Sequence, residues 1–281
     1  MKILVTGANG YIGSKVVKYL CDNEYEVIAA DIDSKNIDKR ARFIYTNIFE
    51  KKENWFDFFE SPDVCLHLAW RDGFVHNSEK HMADLSSHYQ FLTNMISNGV
   101  KHLACMGTMH EIGYFEGKID ENTICNPLSQ YGISKNALRK SIELYASNHK
   151  CCFQWLRAFY IYGDDLYGNS IFCKIRQAVA QGQKYFPFTT GKNMYDFISV
   201  DELAKQISLC ILQKDINGII NCCSGKPITL AEQIEWYIKS NNLNIALEYG
   251  KFPDRAYDSP CVYGDDSKIK RIISNYESSR N

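Results

Sequence analysis

Thr6-Gly7-Ala8-Asn9-Gly10-Tyr11-Ile12-Gly13 follows the short apolar run Ile3–Val5 and opens a stretch of helical character, Tyr11–Cys21. Glycines in such a turn let the backbone bend tightly, admit a pyrophosphate close to the main chain and let the helix pack against its strand. The helix start then offers unpaired N–H groups and the positive end of its dipole to the phosphates. The spacing is G-x-x-G-x-x-G rather than the commoner G-x-G-x-x-G, and by itself it also fits an ordinary strand–helix turn. Asp31 adds weight. It ends the second apolar run, Tyr25–Ala30, 24 residues after Gly7, where a dinucleotide fold places an acid on the adenosine ribose. A carboxylate there repels a 2′-phosphate, so NAD(H) is favoured, with NADP(H) not excluded. The alternative role for Asp31 is to cap a helix starting near Ser34.

Outward from this turn the chain alternates two periods. Apolar runs rich in β-branched residues recur at Arg42–Tyr45, Val64–Leu68, Leu103–Met106 and Phe153–Ala158. Helical stretches separate them at Glu79–Asn98 and Ser129–Asn148. Strands alternating with helices predict βαβ units in a parallel sheet, and continuous rather than alternating apolar runs predict strands covered on both faces. The fold class is therefore α/β, a Rossmann-like doubly wound parallel sheet. Past residue 163 the rhythm loosens into helical stretches at Ser170–Gln181 and Val200–Leu212, a strand at Gly218–Cys222, and a helix opening at Thr229 with a capping-box Glu232. This predicts a dinucleotide domain over 1–163 and a smaller α+β substrate lobe over 164–281, interleaved with it. The polar tail, Ser274–Asn281, is expected to fray.

Composition narrows the function classes. In 281 residues, 32 basic side chains balance 33 acidic ones for a net charge of -1. That leaves no electrostatic footprint for nucleic acid or an anionic membrane. No apolar run reaches the roughly 18 residues that cross a bilayer, and the N-terminus turns too early for a signal peptide, so a cytoplasmic protein is expected. The 11 cysteines are spread without C-x-x-C spacing and read as reduced, buried thiols. No metal site is expected.

Tyr131-Gly132-Ile133-Ser134-Lys135 stands near the start of a predicted helix, and a spacing of four sets Tyr131 and Lys135 on one face. An ammonium beside a phenol favours the phenolate and lowers its pKa from about 10. A phenol so placed can exchange a proton with a sugar oxygen while a hydride moves at the attached carbon. Thr108, at the C-terminal edge of the sheet where open α/β folds bind ligands, can hold the same oxygen. Either feature alone is commonplace, a solvated helix face or a turn threonine. They gain meaning from the glycine turn upstream.

With these motifs the chain resembles the extended short-chain dehydrogenases/reductases, specifically the sugar-nucleotide epimerase/dehydratase/reductase family. The likeness runs from Met1 to about Lys270. It includes His67-Leu68-Ala69, Leu156-Arg157-Ala158-Phe159-Tyr160-Ile161-Tyr162-Gly163, Asp196–Ala204 and Asn221–Pro227. The resemblance implies redox chemistry on a hexose carried by a nucleoside diphosphate. It places Gly7, Gly10, Tyr11, Ile12, Gly13, Asp31, Asn47, Ile48, Leu68, Ala69 and Lys135 on cofactor positions, and Thr108, Tyr131 and Lys135 on the catalytic triad. His110, Asn169 and Arg255 fall toward the substrate, and Arg255 suits a diphosphate because a guanidinium grips phosphate oxygens in pairs. Family members commonly form homodimers.

Departures from the family pattern narrow the activity. Its 4,6-dehydratases carry Asp-Glu after the threonine; here stand Met109 and His110, and a thioether cannot exchange protons. The stretch Gly107-Thr108-Met109-His110-Glu111 is closer to the G-[ST]-x-x-E of small 4-ketoreductases. Tyr160 and Tyr195 replace the usual Asn and Arg, and the latter removes one expected diphosphate contact. The expected function is NAD(P)H-dependent reduction of a nucleoside-diphosphate 4-keto (6-deoxy) sugar, with Tyr131 as general acid. A 4-epimerase is the rival enzyme. A non-catalytic NAD-binding regulator is the rival from another class, and the retained triad argues against it.

Overall fold

The computed structural model describes residues 1–163, 170–254 and 258–280, except the side chain of Arg280. The alternating part of the sequence builds β1 (Lys2–Thr6), α1 (Tyr11–Asp22), β2 (Glu26–Asp31), β3 (Arg42–Tyr45), α2 (Trp55–Phe58) and β4 (Val64–His67). It continues through α3 (Lys80–Ala83), α4 (Leu85–Asn98), β5 (His102–Thr108), β6 (Gly117–Ile119), α5 (Gln130–Asn148) and β7 (Cys152–Ala158). Next come β8 (Tyr160–Tyr162), α6 (Ile171–Ala180), β9 (Tyr185–Pro187), β10 (Met194–Ser199), α7 (Val200–Ile211) and β11 (Gly218–Cys222). The chain ends with β12 (Pro227–Thr229), α8 (Leu230–Ser240), β13 (Ala246–Glu248), β14 (Cys261–Gly264) and α9 (Ser267–Arg280).

Seven parallel strands form the central sheet in the order β11-β7-β5-β4-β1-β2-β3. The order reverses at β1, and in open α/β sheets ligands settle at such a reversal, beyond the strands' C-terminal ends. Strand side chains alternate between two cores. Ile3 and Val5 pack on α1, α7 and α9 through Val16, Leu203 and Ile269, whereas Leu4 packs on α4 and α5 through Leu92, Met95 and Leu138. The sheet is buried on both faces, as its continuous apolar runs predict.

A second sheet runs β12-β10-β14-β6, with β8 also paired to β10. Its strand β6 comes from before α5, while β11, from late in the chain, pairs with β7 of the central sheet. Asp196 fastens this region. Its buried carboxylate accepts the N–H groups of Ser224 (2.8 Å), Gly225 (2.9 Å) and Gly264 (3.1 Å). Phe172, Phe188, Phe197 and Tyr237 fill the third core beside it.

Two expectations need correction. Glu79–Asn98 is not one helix: it breaks at Asp84 into α3 and α4, and the Asp84 carboxylate turns away to an ion pair with Arg71 (2.7 Å to Nε). The tail from Ser274 does not fray before Arg280; it lies in α9, with Ile272 buried and Ile273 and Tyr276 packed on the same core.

Candidate active site

Gly7 leaves β1 with φ +70°, donating its N–H to the Ala30 carbonyl at 3.0 Å. A Cβ here would stand 2.5 Å from the Ala69 nitrogen, and one on Gly13 only 2.1 Å from the Gly7 carbonyl oxygen. Both positions therefore require glycine. Helices α5, α6, α7 and α8 each begin on a Ser or Thr whose hydroxyl accepts a first-turn N–H. In contrast, α1 begins on the exposed Gly10 with no side-chain cap. Its first-turn donors are thus left for another acceptor, which fits a pyrophosphate.

Asp31 sits beside that turn. One carboxylate oxygen accepts the Asn9 N–H (2.9 Å) and the other the Ile32 N–H (2.7 Å), and each oxygen keeps a lone pair for a ribose hydroxyl. No helix begins near Ser34, so the capping alternative has nothing to cap. Leu68 and Ala69 lie against the turn, Leu68 through its N–H to the Thr6 carbonyl at 3.1 Å. Asn47 follows β3 just past Thr46, which bonds the Asp31 carbonyl; Ile48 is turned into the core. Ile12 packs inward, and the Tyr11 hydroxyl lies against Gly163.

The three catalytic candidates come together from two elements. Thr108 ends β5 and caps the 3-10 turn Met109–Glu111, accepting the His110 N–H (3.3 Å), and its hydroxyl lies on the side of the Tyr131 phenol, where it opposes the rise of that phenol's pKa. Tyr131 and Lys135 lie one turn apart on α5, whose start is fixed by the Ser129 cap and by the Tyr131 N–H bonded to the His76 carbonyl at 2.9 Å. The expected tuning of the phenol does not occur. Burial pushes the Tyr131 pKa up, with the Glu111 carboxylate adding to the rise. The Lys135 ammonium is instead drawn to the Met106 carbonyl (2.8 Å) and over the Trp70 ring (3.8 Å), leaving it 5.9 Å from the Tyr131 ring. Burial lowers the Lys135 pKa from 10.5 to about 8. Tyr131 therefore stands protonated at neutral pH, the state a general acid needs.

Glu111 holds this arrangement from behind. Fully buried, it accepts the Thr108 N–H (2.8 Å) and the Trp155 indole N–H (2.8 and 3.0 Å), with Arg139 and Arg157 at 3.6 and 3.8 Å. Gly107 makes room, since a Cβ there would meet the Trp155 nitrogen at 2.2 Å.

Sequence reasoning assigned nothing to His76, His81, His88 or Trp70, yet all four build the wall beside Lys135 and Tyr131. Trp70 donates to His81 (3.0 Å) and stacks on His88 (4.4 Å, 11°). His88 meets His67 (3.0 Å), which meets Thr6 (2.8 Å). His76 stacks on the Tyr131 ring (5.5 Å, 12°), and His110 lies 4.3 Å from His76. Apart from the adjacency of Trp70 to His67-Leu68-Ala69, no spacing signals this wall. Asn169 and Arg255 lie outside the described residues. Tyr195 and Tyr160, at the positions of the missing Arg and Asn, pack ring on ring at 4.3 Å.

The sequence profile described as the NAD dependent epimerase/dehydratase family matches residues 3–223. The chain belongs to this family. It is an NAD-dependent enzyme with the Rossmann-like parallel sheet the glycine turn predicts. The chain is 44% identical over 269 residues to a dTDP-6-deoxy-L-talose 4-dehydrogenase (NAD(+)) of Aggregatibacter actinomycetemcomitans, covering 94% of this chain and 99% of that one. It is 28% identical over 273 residues to a putative UDP-glucose 4-epimerase of Methanocaldococcus jannaschii, with 92% and 86% covered. Among solved structures, the Thermus thermophilus UDP-glucose 4-epimerase complex with NAD superposes with a TM-score of 0.81 at 22% identity, covering 96% of this chain and 92% of that one. That last likeness is one of fold. Among the described residues no helix is long and apolar enough to cross a membrane, and no cluster of His, Cys, Asp and Glu is arranged to hold a metal ion.

Proposed function

We propose that the protein interconverts a nucleoside-diphosphate 4-keto-6-deoxyhexose and its 4-hydroxy form, working as an NADH-dependent reductase. The observation that carries this is the Thr108–Tyr131 hydroxyl pair with buried Lys135 beside it, at the sheet edge that also carries the glycine turn. The 44% identical relative, whose name states a 4-dehydrogenase using NAD(+), supports the same carbon and cofactor. Gly7, Gly10, Gly13 and Asp31 hold the dinucleotide, the carboxylate disfavouring a 2′-phosphate. NAD(H), when bound, supplies or accepts the hydride.

Thr108 holds the C4 oxygen and Tyr131 gives it a proton as the carbon is reduced; in the oxidising direction the same phenol takes that proton back. Lys135 holds the nicotinamide ribose. Residues 1–163 carry the cofactor and 164–281 the sugar nucleotide, with Asn169 and Arg255 on its nucleotide and diphosphate. The exposed Met82 and Tyr89 from α3–α4 and Ile133 and Leu144 on α5 suit the face of a homodimer, a cytoplasmic one on this reading.

A panel of UDP-, dTDP-, GDP- and CDP-linked 4-keto-6-deoxyhexoses, followed at the NADH absorption band with NADPH in parallel, tests the reading. One member should consume NADH stoichiometrically. Cofactor retained and regenerated each cycle, with the C4 epimer as product, would instead establish an epimerase. Tyr131→Phe should bind NADH unchanged and lose at least about 100-fold in turnover; unchanged turnover removes Tyr131 from the mechanism.

A further inference from the structure

Lys135 is buried, and two groups hold its ammonium: the Met106 carbonyl at 2.8 Å and the Trp70 ring, whose centroid is 3.8 Å from Nζ. Among the described residues no carboxylate pairs with it. Glu111, the acid that faces it, lies with Arg139 and Arg157. A buried cation without a counter-ion is costly, and the negative face of an indole is the best aromatic partner for one. The indole is itself held. Its N–H donates to His81 Nδ1 (3.0 Å), so the His81 proton sits on Nε2, which donates to the Val75 carbonyl (2.9 Å). His88 stacks on the same ring at 4.4 Å and 11°. Val75 belongs to the loop from Arg71 to Glu79, whose His76 carbonyl accepts the Tyr131 N–H at 2.9 Å, and Trp70 meets the Tyr131 ring edge to face at 6.2 Å. One side chain thus touches the ammonium directly and, through His81 and this loop, the helix turn that carries the phenol.

A lysine carries its charge on a flexible four-carbon stem, so a place on α5 does not decide where the ammonium stands. We infer that Trp70 is a positioning residue of the active site: its indole face, with the Met106 carbonyl, fixes the Lys135 ammonium at the place from which it bonds the nicotinamide ribose. The inference rests on the proposed role of Lys135 at that ribose. Because the ring face favours the charged lysine, Trp70 also opposes the fall that burial imposes on the Lys135 pKa. Five other titratable groups face the ammonium: Cys105 on β5, Tyr131 on α5, His67 at the end of β4, His88 on α4, and Glu111. Burial pushes the Cys105 thiol and the Tyr131 phenol far up and both imidazoles far down, so none of these four changes charge between pH 6.5 and pH 8.5. Glu111 is untouched by changes to the indole, so its influence cancels in a comparison of variants at position 70.

Fluorination withdraws charge density from the ring face at nearly constant shape. Tetrafluorotryptophan at position 70 therefore removes the electrostatic hold and keeps both the packing and the N–H donor. The Lys135 titration, read from the NMR signal of its Cε and assigned by the loss of that signal in Lys135→Met, should move down by about one pH unit, with a monofluorinated ring in between. NADH affinity, read by the cofactor's own fluorescence, should stay within about twofold of the wild type at pH 6.5, where the lysine is charged in both proteins. At pH 8.5 it should be weaker by about two- to eightfold, since an ammonium bonds a hydroxyl more strongly than an amine does. A titration that fluorination leaves unmoved overturns the hold. Affinity lost equally at both pH values reduces Trp70 to packing and overturns it too. A titration that moves while NADH affinity stays the same at both pH values takes Lys135 off the ribose, and the inference goes with it. A wild type that reduces no member of the sugar panel defeats the proposed reaction instead, and the two readings still decide for or against Trp70.

Discussion

The glycine turn between β1 and α1 and the wall around Tyr131 both stand at the C-terminal side of the central sheet, yet they are made of different material. The turn is almost all backbone: its tolerances are set by contacts of 2.1 and 2.5 Å that a Cβ would make, and its ligand groups are main-chain N–H donors. The wall is all side chain, gathered from the ends of β4 and β5, from α3–α4 and from α5, and crowded with buried titratable groups. The turn's main-chain donors carry no titrating proton. The wall carries His67, His88, His110, Glu111, Tyr131 and Lys135, each with a pKa displaced by burial. This difference predicts that steric changes break the turn, whereas charge and pH act on the wall.

The largest expected effect is at the wall's rear. Glu111→Leu removes the acceptor of the Thr108 and Trp155 N–H groups and leaves Arg157 buried without its carboxylate, while Arg139 keeps only Glu143 at 3.1 Å. Loss of one partner from a buried ion pair costs about 3–5 kcal/mol, which denaturant unfolding of the variant should show. A cost below about 1 kcal/mol would mean that the arginines are satisfied elsewhere. In the turn, Gly13→Ala sets a Cβ against the Gly7 carbonyl. Overpacking of this kind costs about 1–3 kcal/mol. NADH affinity should fall with it, since relief of the clash moves the donors that hold the pyrophosphate. An alanine variant with unchanged affinity would show that the turn does not hold it.

The same contrast explains what the sequence discloses. A glycine that tolerates no Cβ leaves a mark at a fixed spacing, so Gly7, Gly13, Asp31 and the strand rhythm behind them can be read directly. Thr108, Tyr131 and Lys135 are legible because a strand end and a helical turn place them. Trp70 and the histidines are not, because their meeting depends on a loop running from Arg71 to Glu79 that has no periodicity. The lysine's orientation was likewise hidden: a spacing of four puts Lys135 beside Tyr131, but only the packing of Trp70 shows that the ammonium lies over the indole. The small strands β6, β9 and β12, of three residues each, are too short to leave a pattern.

The third effect separates the regions by pH. His67 is 2% exposed and its pKa falls from 6.5 to about 3, because burial disfavours the charged ring. Below pH 6.5 the unfolded chain takes up a proton that the folded one refuses, so stability falls as the pH falls. At pH 5 the loss from this residue is about 2 kcal/mol. Denaturant midpoints at pH 7 and pH 5 measure it, and His67→Gln should flatten the difference. Gly13→Ala, which adds no titrating group, should leave the pH 7 to pH 5 difference as in the wild type. A His67→Gln variant as acid-sensitive as the wild type would move the loss to the other buried histidines, His88 first.

The smallest effect has an unusual sign. Lys135 is 3% exposed, and burial lowers its pKa from 10.5 to about 8. Below pH 8 the folded protein holds an ammonium at a cost of about 3 kcal/mol relative to the unfolded chain. The Met106 carbonyl and the Trp70 face reduce that cost without removing it. Lys135→Met gives up those contacts and also the penalty, so it should be more stable than the wild type by about 1 kcal/mol at pH 7 while losing turnover. Between pH 8 and 10.5 the unfolded wild type binds more protons than the folded, so its own stability rises, by about 2.5 kcal/mol from pH 7 to pH 10, and overtakes the variant's advantage. Thermal melts of the two proteins at pH 7 and pH 10 show this as a reversal of their order. If the methionine variant is the less stable at pH 7, the ammonium over Trp70 is a net gain to the fold, and the wall is then held together by the charge that also serves its chemistry.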